Sequence, residues 1–143
     1  MISKLSKINK ITFLKPKIID ILILDKVGSE IVAKLISNKK YFILNSRYEE
    51  LNLYILFKSI FFNIINKKKI FSYISYLDNY IKCLQPELVV TTIDNSKVFF
   101  KLKIMNQKIF FICIQNGTSS SLIELNKFPK VKIDLFLCFS KYY

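Results

Sequence analysis

A chain of 143 residues with 52% hydrophobic side chains is long enough for one folded domain with a substantial core, which excludes an intrinsically disordered polymer. The net charge of +13 invites a nucleic-acid reading, yet Arg47 is the only arginine, and bidentate recognition of bases and phosphates favours arginine. The lysines are scattered and no zinc finger or RNP-like aromatic strand accompanies them, so a specific nucleic-acid partner is not expected.

In chain order, Ile18 to Leu24 reads as a first buried strand ending at Asp25. Lys26-Val27-Gly28-Ser29 then turns into a helix with Ser29 as its N-cap and Ile31, Val32, Leu35 and Ile36 on one face. Asn38-Lys39-Lys40 breaks that helix, and Tyr41 to Leu44 forms a second strand followed by Asn45-Ser46-Arg47. Leu53 to Leu56 fits a third strand, and a helix from Glu49 to Ile65 fits the same pattern. After the polar break at 66–69, Ile70, Ile74, Leu77, Ile81 and Leu84 recur at helical spacing until Pro86. Strand four is Leu88 to Ile93. Asp94, Asn95 and Ser96 offer capping groups for a helix with Val98, Phe99, Leu102 and Met105 on its apolar face. Strand five runs from Ile109 to Ile114 and closes on Gln115-Asn116-Gly117. The hydroxyl run Thr118 to Ser121 follows, and Ser121 with Glu124 matches a capping box for a short helix. Strand six is Ile133 to Phe139.

Strands alternating with helices at this spacing predict βαβ units and a Rossmann-like, doubly wound α/β fold: one parallel sheet of about six strands in a single domain, residues 1–143 with a core over 17–140. In the order 3-2-1-4-5-6, strands one and four meet where the order reverses, so Asp25, Gly28 and Ser29 face Asp94 and Asn95 across a crevice. Gln115, Asn116 and Gly117 lie beside them. These eight residues are the candidate substrate-binding set, with Asp94 the candidate to orient or deprotonate a hydroxyl. For each the plain structural alternative is a turn or a helix cap. The last strand has no helix after it, which leaves apolar surface for a partner domain or subunit to cover.

The chain has no histidine, which removes Ser/His and Cys/His catalysis, histidine metal ligands and the usual imidazole base. No motif implies a metal or a cofactor, and the lone Gly28-Ser29 is no phosphate loop. Cys83, Cys113 and Cys138 are odd in number and far apart, and read as small buried hydrophobes in a reducing compartment. Met1 to Lys17 has no apolar core for a secretory signal, and Leu51 to Ile65 is shorter than the ~20 residues a membrane span needs. A cytoplasmic protein is expected. Lys67-Lys68-Lys69 reads as a solvated turn, while its apolar flanks also suit peripheral contact with an anionic membrane.

The order Asp25-Lys26-Val27-Gly28-Ser29, Val90-Thr91-Thr92-Ile93-Asp94-Asn95, Ile112-Cys113-Ile114-Gln115-Asn116-Gly117 and Asp134-Leu135-Phe136-Leu137-Cys138-Phe139 resembles the N-terminal half of bacterial surface-carbohydrate biosynthesis proteins. Those are similar to GT-B glycosyltransferases and CDP-glycerol glycerophosphotransferases. The resemblance implies a two-domain transferase whose C-terminal Rossmann domain, absent from these 143 residues, holds a nucleotide-activated sugar or polyol donor. The N-terminal half then holds a glycan or lipid-linked acceptor and is inactive alone. In the glycerophosphotransferase branch a histidine precedes the equivalent of Gly117; here Asn116 does, and an amide cannot serve as a base. The alternative is a stand-alone small-ligand-binding or protein-interaction module of flavodoxin-like shape.

Overall fold

The computed structural model describes residues 10–45, 50–115 and 133–138. Arg47, Asn116, Gly117, the hydroxyl run and the helix expected from Ser121 lie outside the described residues. The elements are β1 (Lys10–Thr12), β2 (Ile21–Leu24), α1 (Ser29–Leu35), β3 (Tyr41–Leu44), β4 (Glu50–Asn52), α2 (Leu53–Ile65), α3 (Tyr73–Leu84), β5 (Leu88–Thr91), α4 (Lys97–Met105), β6 (Phe110–Ile114) and β7 (Leu135–Leu137).

The fold is α/β and Rossmann-like: a five-stranded parallel sheet in the order β3-β2-β5-β6-β7, with a separate two-stranded parallel sheet of β1 and β4. All four residues of β2 are buried, as its unbroken apolar run requires of a central strand covered on both faces. One face carries Leu22, Leu24, Val89, Phe111 and Cys113 into the larger core, built with α2, α3 and α4. The other turns Ile21, Ile23 and Val90 towards Val32 of α1. Right-handed crossovers produce this division: the connection from β2 to β3 runs one way along the sheet, and those from β3 to β5 and β5 to β6 run the other.

One open reading is decided, and the sheet order, the N-cap of α1 and its inward face differ from expectation. The segment from Leu53 is helix, not a third strand, because Asn52 accepts a capping hydrogen bond from Ile55 N at 3.1 Å and thirteen residues follow in one helix. The main sheet therefore has five strands, and its order is 2-1-3-4-5, the flavodoxin-like form of the doubly wound sheet. In α1 the N-cap is Gly28, in the left-handed region, and Ser29 is the first helical residue. The inward face of α1 is Val32 with Ala33 and Ile36 beside it, whereas Ile31 and Leu35 point outward. Leu77, Ile81 and Leu84 of α3 and Phe99 and Leu102 of α4 are fully buried as their spacing predicts, but Ile70 precedes α3 and it and Met105 are exposed; Gln85 in the left-handed region ends α3 just before Pro86.

At the sheet edge, Phe136 packs on the larger core, while Leu135 and Leu137 on the α1 side stay 40% and 45% exposed. No helix among the described residues is long and apolar enough to cross a membrane.

Candidate functional site: the carboxyl rim of β2, β5 and β6

The three central strands are parallel and in register, Ile23 beside Val90 and Thr91 beside Cys113, so Asp25, Asp94 and Gln115 all follow strand ends at one rim. At a strand spacing of about 4.8 Å, the β2 and β6 ends lie roughly 10 Å apart, a span that a sugar or small phosphate ester bridges. The sheet order reverses between β2 and β5, which is where doubly wound sheets open a crevice.

The first wall is the turn after β2. Asp25 N donates to Leu44 O at 2.9 Å, extending the ladder, and the backbone then swings to a φ of 86°. Aspartate tolerates that conformation better than most residues because its side chain bonds locally. Here Oδ1 accepts from Lys26 N at 2.7 Å and Val27 N at 3.3 Å, so Asp25 builds the turn with this oxygen. Ser29 Oγ donates to Lys26 O at 2.7 Å, which closes the turn from the helix side.

The second wall comes from β5, and it is stitched to the first. Thr91 Oγ1 donates to Leu24 O at 3.1 Å, and Thr92 Oγ1 donates to Val27 O. Gly28 sits against Thr92 so closely that a Cβ there would meet Thr92 Oγ1 at 2.9 Å. Both threonines belong to the run Val90 to Asn95, yet nothing in the spacing distinguishes their hydroxyls from ordinary strand threonines. The cap of α4 is Ser96, whose Oγ accepts from Phe99 N at 3.3 Å. Asp94 is buried and Asn95 is exposed.

Gln115 forms the third wall: it is buried, and its backbone N donates to Leu137 O at 2.9 Å. The structure thus brings Asp25, Gly28, Ser29, Asp94 and Gln115 to one rim, with Asn95 at its exposed margin. A buried carboxylate can accept from a ligand hydroxyl, and a buried primary amide can both donate and accept. Among the described residues no group of three or more Cys, Asp or Glu side chains is placed to hold a metal ion.

Cys113 lies under this rim. Burial, and after it the negative charge of Asp94 and the neighbouring Cys138, push its thiol up to about 12. It is therefore protonated and no nucleophile at neutral pH. Cys83 is buried as well, whereas Cys138 is exposed, contrary to the reading of all three as buried. Burial and the adjacent Tyr76 also raise Tyr80 to about 12. Because the folded chain holds these protons more tightly than the unfolded one, the associated stability is complete below about pH 9 and is lost as pH rises towards about 12. The thermal midpoint should fall across that window, and Cys113→Val should make the fall shallower. An equally steep fall in the variant would show that Cys113 does not contribute.

Compared with family models, with curated proteins and with solved structures, the chain finds no match.

Proposed function

We propose that the crevice between β2 and β5 binds a small hydroxyl-rich ligand, and that the chain serves as the acceptor-side half of a glycosyltransferase-like or polyol-phosphate-transferase-like protein of cell-surface polysaccharide biosynthesis in the cytoplasm. The observation that carries the reading is that Asp94 and Gln115, both buried polar residues, follow the adjacent strands β5 and β6 at one rim, beside the point where the sheet order reverses. In this reading Asp94 accepts from the acceptor hydroxyl, while Asp25 Oδ1 holds its own turn. Gln115, after the neighbouring strand β6, holds the ligand beside Asp94, and a nucleotide-activated donor would sit on a second Rossmann-like domain.

Amide-resolved NMR titration tests this with three probes: a short glycerol phosphate oligomer, an N-acetylglucosamine oligosaccharide and a nucleotide sugar. The acceptor-type probes should shift the amides of Gly28, Asp94 and Gln115. Asp94→Asn should weaken binding about tenfold, or roughly 1.4 kcal/mol. Turnover of the nucleotide sugar by the chain alone would refute the half-enzyme reading. The 2-1-3-4-5 strand order favours a second reading, a stand-alone small-ligand module of flavodoxin-like shape. Flavin mononucleotide binding at the same amides, with no response to either acceptor probe, would select it.

A further inference from the structure

Helix α2 is oriented against its composition. Its buried line is Ile55, Ser59 and Asn63, while Tyr54, Phe57, Phe61, Ile64 and Ile65 form an outward stripe. Phe57 and Phe61 are 66% and 67% exposed. The inward polar groups fix this orientation. Ser59 Oγ donates to Ile55 O at 2.7 Å, Asn63 Oδ1 accepts from Ser75 Oγ at 2.6 Å, and Asn63 Nδ2 donates to Ile70 O at 3.1 Å. Rotating the helix to hide the phenylalanines would strip the two Asn63 bonds to Ser75 and Ile70, whereas the Ser59 bond, made within α2, would turn with it. The stripe therefore presents on the order of 500 Å² of apolar surface, as much as an ordinary monomer shows in its largest patch.

The segment that carries the stripe holds one sign of charge. From Leu51 to Leu77 the sequence has no acidic residue, while Lys58, Lys67, Lys68 and Lys69 border the stripe in sequence. The flanking acids are already engaged: Glu50 lies 3.7 Å from Lys10, and Asp78 lies 2.6 Å from Lys82. Lys68 and Lys82 both place their ammonium groups over the Phe62 ring, at 5.5 and 5.6 Å. At the other end of α2, Asn52 Nδ2 donates to Leu14 O at 2.9 Å, which ties the exposed pair Phe13 and Leu14, flanked by Lys10, Lys15 and Lys17, to the helix start.

We propose that α2 docks the protein on an anionic lipid surface, with the Tyr54–Ile65 stripe entering the headgroup boundary and the lysines meeting lipid phosphates. Aromatic and aliphatic residues on one side with lysine at the margins is the chemistry of a helix that lies in the membrane plane. At thirteen residues α2 is about 20 Å long, too short to span and suited to lying flat. A second copy fits less well, because pairing residues 51–77 with themselves about a two-fold axis would set lysine against lysine, and that segment has no acidic residue.

Sedimentation of the full chain with vesicles tests this independently of the crevice ligand. Binding to phosphatidylcholine vesicles containing a quarter phosphatidylglycerol should exceed binding to pure phosphatidylcholine at least tenfold, and should fall in high salt. Phe57→Ser with Phe61→Ser should lower it about tenfold, as should Lys67→Glu with Lys69→Glu; all four positions are exposed, so circular dichroism should be unchanged. Equal binding to both vesicle types, no binding, or undiminished binding by both variants would overturn the proposal. So would a solution dimer that the double serine variant dissociates, which would assign the stripe to a second copy.

Discussion

Gly28→Ala is expected to destabilise the fold by about 2 to 4 kcal/mol, although it adds only one carbon. Part of the effect is conformational, since a φ of 68° costs an L side chain about 1 kcal/mol. The rest is steric. The new Cβ would stand 2.9 Å from Thr92 Oγ1, 3.1 Å from its Cβ and 3.2 Å from its Cγ2. Thr92 cannot simply turn away, because it is buried, β-branched and bonded to Val27 O. Overpacking of this kind typically adds 1 to 3 kcal/mol, roughly the balance of the expected loss. Urea unfolding of Gly28→Ala, Thr92→Ala and the double variant separates the two parts. Alanine at 92 removes Oγ1 and Cγ2 but keeps the Cβ 3.1 Å away, so a part of the steric loss should remain beside about 1 kcal/mol of backbone strain, and the pair should couple by about 1 kcal/mol. A loss below about 0.5 kcal/mol in Gly28→Ala would mean that the two walls of the crevice are not held at fixed separation.

The central strands were legible because each is an apolar run ending abruptly on polar residues, and parallel pairing carries all those ends to one rim. That logic located Asp25, Asp94 and Gln115 without any need to know what the side chains touch. It could not find β1 and β4. Lys10-Ile11-Thr12 and Glu50-Leu51-Asn52 are three-residue strands whose partners are 40 residues distant, and three residues show no periodicity. It also could not decide α2, because a helix with large apolar residues outside and Ser59 and Asn63 inside inverts the usual amphipathic pattern. In α1 the expected face holds for Val32 and Ile36, which point inward, and fails for Ile31 and Leu35, which are exposed. Burial of polar groups is the least legible feature, since it depends on partners contributed by other elements. Asp78 is an example, clasped by Lys82 on its own helix and by Asn106 Nδ2 from the end of α4 at 2.9 Å.

Lys103→Met should give the second large loss, about 2 kcal/mol, and should reach the crevice from the opposite rim. Lys103 is nearly buried, yet each of its three donors has an acceptor: Asp134 Oδ2 at 2.6 Å, Ile109 O at 2.9 Å and Gln107 O at 3.2 Å. The same Asp134 oxygen accepts from Phe111 N at 2.7 Å, so one carboxylate joins α4, β6 and the start of β7. Methionine keeps the stem and removes the charge, leaving two carbonyls without this donor and Asp134 without its cation. Breaking a fully buried pair costs 3 to 5 kcal/mol, and the partial exposure of Asp134 reduces that figure. Burial raises the Asp134 carboxyl, but hydrogen bonds from Lys103 and Phe111 N and the lysine charge together hold it below its ordinary value. Its contribution is thus present above about pH 4 and is lost as pH falls through the depressed value, so Asp134→Asn should flatten the acid limb of a stability profile. Since β7 also supplies Leu137 O to Gln115 N, loosening its start should speed hydrogen exchange at Gln115. Unchanged exchange there, in a variant that has lost stability, would show that the Lys103–Asp134 pair steadies α4 alone and plays no part in positioning the candidate site.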